Sequence, residues 1–169
     1  FVIGETGFGT GLNFLTTVQH WLATADREAR LYYYAVEKFP LSAEDLAKAL
    51  GIYSRFSPNL SELLHAYPPA ISGLHRRELF DGRVRLCLMF DDVLHSLSQL
   101  DVSVDAWYLD GFAPDKNPEM WSDAVFRQIA RLSHEHTSLS TYTAAGFVRR
   151  GLTAQGFHMD KVTGFGHKR

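Results

Sequence analysis

The chain has a single cysteine, Cys87, in 169 residues. That excludes an internal disulfide and a multi-cysteine zinc site, and it suits a reducing compartment, so a cytoplasmic protein is expected. No apolar run approaches the roughly 20 residues needed to span a bilayer, and no basic segment with an apolar stretch opens the chain. No membrane partner is expected. Charge of one sign is also scarce, since 17 Lys and Arg stand against 19 Asp and Glu for a net charge of −2. Binding of nucleic acid through bulk positive charge is thereby excluded, while a local basic patch is not. There is no linker or low-complexity tract. Thr6-Gly-Phe-Gly9 recurs as Thr163-Gly-Phe-Gly166, but between different flanks, so it is not read as a repeat.

What is present fits one soluble globular domain over residues 1–169, with 46% hydrophobic, 21% charged and 13% aromatic residues. A chain of this length buries roughly 70% of its unfolded surface, so it needs neither metal nor disulfide for stability. Phe1-Val2-Ile3 reads as the tail of a buried strand, and the chain closes on Gly166-His167-Lys168-Arg169. An excerpt of a longer chain is expected, without its N-terminal elements and the last strand of its sheet.

Strand-like and helix-like stretches alternate. Phe1 to Glu5 is a strand end, followed by a glycine-rich turn. Phe14, Leu15, Val18, Trp21, Leu22 and Ala25 recur at helical spacing. Leu31 to Val36 is β-rich and ends in Glu37. Ser42, three residues before Asp45, caps a helix to about Leu50. Residues 57–80 read as one short helix, through Leu60, Leu63 and Leu64, and loops. Val84 to Met89 is a third strand stopped by Asp91-Asp92, and Val104 to Leu109 a fourth stopped by Asp110-Gly111. Trp121, Val125, Ile129 and Leu132 mark a helix face, Ser138 to Tyr142 a fifth strand, Gly146 to Gln155 a helix, and Phe157 to Val162 a further strand. The order predicts an α/β fold with a doubly wound, mostly parallel sheet and helices on both faces. Ligands bind beyond the carboxyl ends of such strands, where Glu5, Glu37, Asp91 or Asp92, and Asp110 fall.

Glu5-Thr-Gly7-Phe-Gly9-Thr-Gly11 lies between strand and helix, where glycines let the backbone turn tightly and approach a ligand. It lacks the Gly-Lys-Ser/Thr ending of a phosphate-binding P-loop. In the dinucleotide fingerprint the third glycine would fall on Leu12. A G-x-G-x-G loop with an acid two residues before it instead resembles motif I of class I S-adenosylmethionine-dependent methyltransferases, a Rossmann-like fold. Glu37 ends the second strand, where a carboxylate can accept hydrogen bonds from both ribose hydroxyls. Asp91-Asp92 ends the third strand, where the resemblance implies an acid near the adenine, with Asp92 favoured, and a helix N-cap is an equally physical role for one of the two.

The most discriminating string is Tyr108-Leu-Asp110-Gly-Phe-Ala-Pro114-Asp-Lys-Asn-Pro-Glu-Met-Trp121. With Val36-Glu-Lys-Phe-Pro40, Ala145-Gly-Phe-Val-Arg-Arg-Gly151 and the closing Gly-Phe-Gly-His-Lys-Arg, it resembles one family along essentially the whole chain. That family is the methyltransferase domain of the bifunctional enzyme that makes 5-methylaminomethyl-2-thiouridine in tRNA. The resemblance implies S-adenosylmethionine-dependent N-methylation of the 5-aminomethyl group of (2-thio)uridine at the wobble position. It implies a cofactor site of Glu5, Gly7, Gly9, Gly11, Asn13, Glu37, Lys38 and Asp92. In many relatives a fused or separate FAD-dependent oxidase acts first, and FAD belongs to that half, absent from this chain. One departure is Arg131-Leu-Ser-His-Glu-His136, where relatives usually carry a Pro-Gly-Gly turn. His134, Glu135 and His136 read as solvated loop residues, and no metal is expected.

Methyl transfer from a sulfonium needs an in-line nucleophile with a free lone pair. Asp110 is the candidate catalytic residue, placed to hydrogen-bond the acceptor amine and orient it or take its proton. Phe112 and Pro114 suit the wall against which an extruded base stacks. For the tRNA body, residues 146–169 carry five Lys and Arg (149, 150, 161, 168 and 169) against Asp160, a local charge of +4. Arg149, Arg150 and Lys116 are the phosphate-contact candidates, a solvated helix face being the plain alternative for the arginines. A monomer is expected. A small-molecule methyltransferase of the same core, or a non-catalytic RNA-binding module, are the competing functions.

Overall fold

The computed structural model describes residues 1–111, 113–160 and 162. In chain order its elements are β1 (Val2–Glu5), α1 (Leu12–Thr24), β2 (Leu31–Val36), α2 (Ala43–Gly51), α3 (Ser57–Ala66), β3 (Gly73–Leu79), β4 (Val84–Phe90), α4 (Val93–Ser98), β5 (Val104–Leu109), α5 (Asp123–Arg131), β6 (Ser133–Thr141) and α6 (Gly146–Ala154). Single 3₁₀ turns at Ser54–Phe56 and Pro118–Trp121 lead into α3 and α5. Ser42 caps α2 by accepting from the Asp45 amide at 3.1 Å, as its spacing predicts, and Ser122 does the same for α5.

The strands form one sheet in the order β3-β4-β2-β1-β5-β6, parallel at every pairing except β3 with β4. Side chains alternate between its faces with the strand period of two. Leu31, Tyr33 and Ala35 of β2 and Leu86 and Leu88 of β4 pack with Phe14, Leu15 and Val18 of α1, Leu46 and Leu50 of α2, and Leu63 of α3. On the opposite face Val36, Met89, Trp107 and Leu109 pack with Val93 and Leu97 of α4, Val125, Phe126 and Ile129 of α5, and Val148 and Leu152 of α6. The sheet is therefore doubly wound, as the β-α order predicts. Its winding reverses at β1, which pairs with β2 on one side and β5 on the other. The crevice beyond the carboxyl ends of β1 and β5 is the place such a fold offers a ligand.

Three expectations need correction. Within residues 57–80, read as one helix and loops, Gly73–Leu79 is an edge strand antiparallel to β4. It escapes a pattern search because a marginal strand has little to bury: of its seven residues only Leu79 is buried, and Arg76 and Glu78 face out. The hairpin is closed by Phe80, Asp81 and Gly82, all at positive φ. Second, the fifth predicted strand begins earlier, at Ser133. Val104 pairs with Ser133 but Ala106 with Ser138, so the His134-Glu135-His136 stretch is a bulge inside β6 rather than a turn before it. His134 Nε2 lies 3.0 Å from Asp105, whose other carboxylate oxygen accepts from the Val2 amide. Third, the stretch expected to form a strand over Phe157–Val162 is not one at residues 157–160 or 162; Lys161 lies outside the described residues.

Candidate active site

The loop from β1 to α1 is shaped by its glycines. A Cβ on Gly7 would lie 3.0 Å from the Asp110 carbonyl oxygen and 3.1 Å from the Gly111 Cα, so only glycine lets this loop lie against the end of β5. Gly9 and Gly11 sit at φ +53° and +75°, where side-chain-bearing residues are strained, and a Cβ on Gly9 would meet no protein atom within 4 Å. The loop is anchored on both flanks: Thr6 N donates to Tyr108 O at 3.1 Å and Phe8 N to Val36 O at 2.9 Å.

Glu5 closes β1 and is 1% exposed. Its carboxylate accepts from Asn13 Nδ2 at 2.8 Å and from the Tyr33 hydroxyl at 2.9 Å. Burial is the main cause that pushes its pKa up to about 8, partly opposed by these two donors. Asn13, in the first turn of α1, also donates from the same nitrogen to Asp110 Oδ2 at 2.7 Å. One amide thus bridges a buried carboxyl and an exposed one. Tyr33, a fully buried residue of β2, is part of this network. The signal was there: a tyrosine buried in a strand needs a partner for its hydroxyl.

Glu37 follows β2 and is held by two backbone amides, Gly9 N on Oε2 at 2.8 Å and Phe39 N on Oε1 at 2.9 Å. Each carboxylate oxygen keeps a further lone pair, so the group can still accept from a diol. Asp92 caps α4 through Leu94 N on Oδ1 at 2.9 Å, and its Oδ2 pairs with Lys38 Nζ at 3.2 Å. Asp91 accepts from the Asp92 amide and from His95 Nδ1 at 2.8 Å, and these contacts hold its carboxyl below the usual range. Asp92 therefore takes the cap role and pairs with Lys38, while Asp91 is turned to His95. Lys38, exposed, links Asp92 to Glu119 across 3.8 Å.

The structure thus brings together Glu5, the glycine loop, Asn13, Glu37 and Asp110 at the crevice, with Lys38 and Asp92 joined beside it. Pro114 is half-buried and Lys116 exposed in the loop after β5. Arg149 and Arg150 are exposed on α6, and among the described residues neither pairs with a carboxylate. Phe112 and the basic residues Lys161, Lys168 and Arg169 lie outside the described residues. Sequence reading passed over two further tyrosines: Tyr67, whose buried hydroxyl has no hydrogen-bond partner among the described residues and whose pKa is pushed up to about 12 mainly by burial, and Tyr142, just after β6.

Known proteins are similar to this chain. Chains named tRNA 5-methylaminomethyl-2-thiouridine biosynthesis bifunctional protein are 52% identical over the whole chain in Magnetococcus marinus and 55% identical over 99% of it in Ectopseudomonas mendocina. The chain spans about a quarter of the length of these relatives, 25% and 26%. A crystal structure of MnmC2 from Aquifex aeolicus shares the fold at a TM-score of 0.79 and 22% identity, covering all of this chain and 51% of that one. The family described as S-adenosyl-L-methionine-dependent methyltransferase matches residues 54–169. With the glycine loop, the strand-end carboxylates and the doubly wound sheet, that match makes the chain a member of the S-adenosyl-L-methionine-dependent methyltransferase family.

Proposed function

We propose that this chain methylates the 5-aminomethyl nitrogen of 2-thiouridine at the wobble position of tRNA. The observation that carries the reading is Asp110, an exposed carboxylate just after β5, which accepts from Asn13 Nδ2 at 2.7 Å and is joined through that amide to Glu5 at the end of β1. Relatives named for this modification match the whole chain at about half identity, which supports the same acceptor. The donor set fits S-adenosylmethionine: Glu37 is positioned for the ribose hydroxyls, the open side of Gly9 for close approach, and Asp92 for the adenine side. The cofactor supplies an electrophilic methyl group. Asp110 accepts a hydrogen bond from the acceptor amine and turns its lone pair toward that methyl, which is the positional part of the chemistry. Arg149 and Arg150, exposed on α6, and Lys116, exposed in the loop after β5, offer phosphate contacts. The reading places residues 1–169 as one methyltransferase domain acting as a monomeric unit in the cytoplasm, beside an FAD-dependent oxidase half, fused or separate. No helix among the described residues is long and apolar enough to cross a membrane.

Tritium transfer from labelled S-adenosylmethionine to tRNA bearing 5-aminomethyl-2-thiouridine tests it. Label on the tRNA, absent when the modified nucleoside is replaced by uridine, is the expected result. Label on a free amine but never on tRNA would instead identify a small-molecule enzyme, and no transfer with intact cofactor binding a binding module.

A further inference from the structure

β5 and β6 run parallel with Leu109 opposite Thr141, so the next residue of each, Asp110 and Tyr142, leave the sheet side by side. Tyr142 is 47% exposed and stands amid the smaller Thr141, Thr143 and Ala144. Its other edge is fixed: the ring meets Trp121 edge-on, with centroids 6.4 Å apart and an interplanar angle of 83°. Trp121 is itself 3% exposed, locked into the core under α5. Partial burial and the negative charges of Asp110 and Asp115 raise the Tyr142 hydroxyl's pKa, which places the ring in the field of the candidate catalytic carboxylate. A rigidly backed aromatic with one side open, beside the group that meets the amine, matches how proteins hold an unstacked base.

We propose that Tyr142 is a specificity-determining residue of the acceptor site, stacking its ring on the extruded wobble pyrimidine so that the aminomethyl group reaches Asp110. The inference rests on the tRNA reading above. It selects by ring contact, so a planar base is held and a flexible aliphatic amine is not. The hydroxyl is not required for stacking.

The test is steady-state kinetics of the full protein carrying this chain, on tRNA bearing 5-aminomethyl-2-thiouridine, with cofactor affinity measured by calorimetry. Tyr142→Ala is expected to raise the tRNA KM about 10- to 100-fold, the range of one lost base stack, with the cofactor dissociation constant unchanged. Tyr142→Leu keeps bulk against Trp121 but removes the ring, and should be as impaired as Ala. Tyr142→Phe should recover most of the loss. Should Tyr142→Ala fail to fold, which lost cofactor binding would reveal, the Leu and Phe pair still decides. Leu as good as Phe, Phe as poor as Leu, or Ala equal to wild type would each overturn the proposal. If wild type itself does not methylate this tRNA, the functional reading fails; if wild type is active and Tyr142 is dispensable, only the stacking role fails.

Discussion

The two sides of the crevice are built differently. On the side proposed for the cofactor, Glu5 is buried with two donors, Glu37 is pinned by two backbone amides, and the glycine loop is stapled to β2 and β5. On the side proposed for the acceptor, among the described residues, Asp110 is exposed with one donor, Tyr142 is half-exposed, and Arg149 and Arg150 stand free of carboxylates. A small ligand of fixed shape is served by a site preorganised through backbone contacts, whose geometry varies little. The proposed tRNA acceptor would have to dock and leave, which exposed side chains on loops and a helix face suit. Asn13 is the joint between the two sides, because its single amide nitrogen touches both carboxylates.

Asp110→Ala is expected to have the largest effect on the acceptor side alone, lowering the methylation rate by on the order of 10²-fold or more. Cofactor affinity should hold, since Glu5, the glycine loop and Glu37 remain. Loss of both in single-turnover and calorimetric measurements would erase the division between the two sides. Asp110→Asn sharpens it: an orienting role leaves Asn more active than Ala, whereas proton removal makes Asn as inactive as Ala at neutral pH, with recovery as pH rises.

Next in size is a stability effect confined to the cofactor side. Unfolded, Glu5 ionises near 4.5, whereas the folded protein holds its proton up to about 8. Between those values the native state binds more protons, so this group's contribution makes stability fall as pH rises. Glu5→Gln, which mimics the protonated carboxyl, should flatten that fall and raise stability at pH 8 by about 2–3 kcal/mol. Parallel pH profiles of urea midpoints for mutant and wild type would refute the buried-carboxyl account.

Glu37→Ala should weaken cofactor binding by about 1–3 kcal/mol, the scale of a lost charged hydrogen-bond partner. An unchanged dissociation constant in calorimetry would reduce Glu37 to a brace for the Gly9 and Phe39 amides. The smallest effect is expected from Arg150→Ala, which should raise the tRNA KM several-fold and lower the salt slope of tRNA binding by about one phosphate contact. An unaltered slope would return this arginine to the solvated face of α6.

Much of this was local and therefore readable in the sequence. The strand ends at Glu5, Glu37, Asp92 and Asp110 follow from apolar runs stopped by acids, and Gly7, Gly9 and Gly11 announce a tight loop, Gly9 and Gly11 because few other residues adopt their positive φ and Gly7 because it leaves room for close approach. The Ser42 cap is a three-residue pattern, and the β-α alternation leaves few topologies besides a parallel doubly wound sheet. Other features depend on residues far apart in the chain. The edge strand Gly73–Leu79 has no apolar alternation because it pairs on one side only, so its existence depends on β4. The roles of Asp91 and Asp92 were equivalent until His95 and Lys38 took one each. The raised pKa of Glu5 needs the burial that only the assembled sheet and α1 create. The bulge at residues 134–137 arises from register against β5, and that register beyond it sets Tyr142 beside Asp110, 32 positions away in the chain. Pattern and turn chemistry act over a few residues, so the sequence alone determined most of the elements and the residue types at their ends. Register, burial and charge pairing act across strands, and only the tertiary structure decided which of those ends meet.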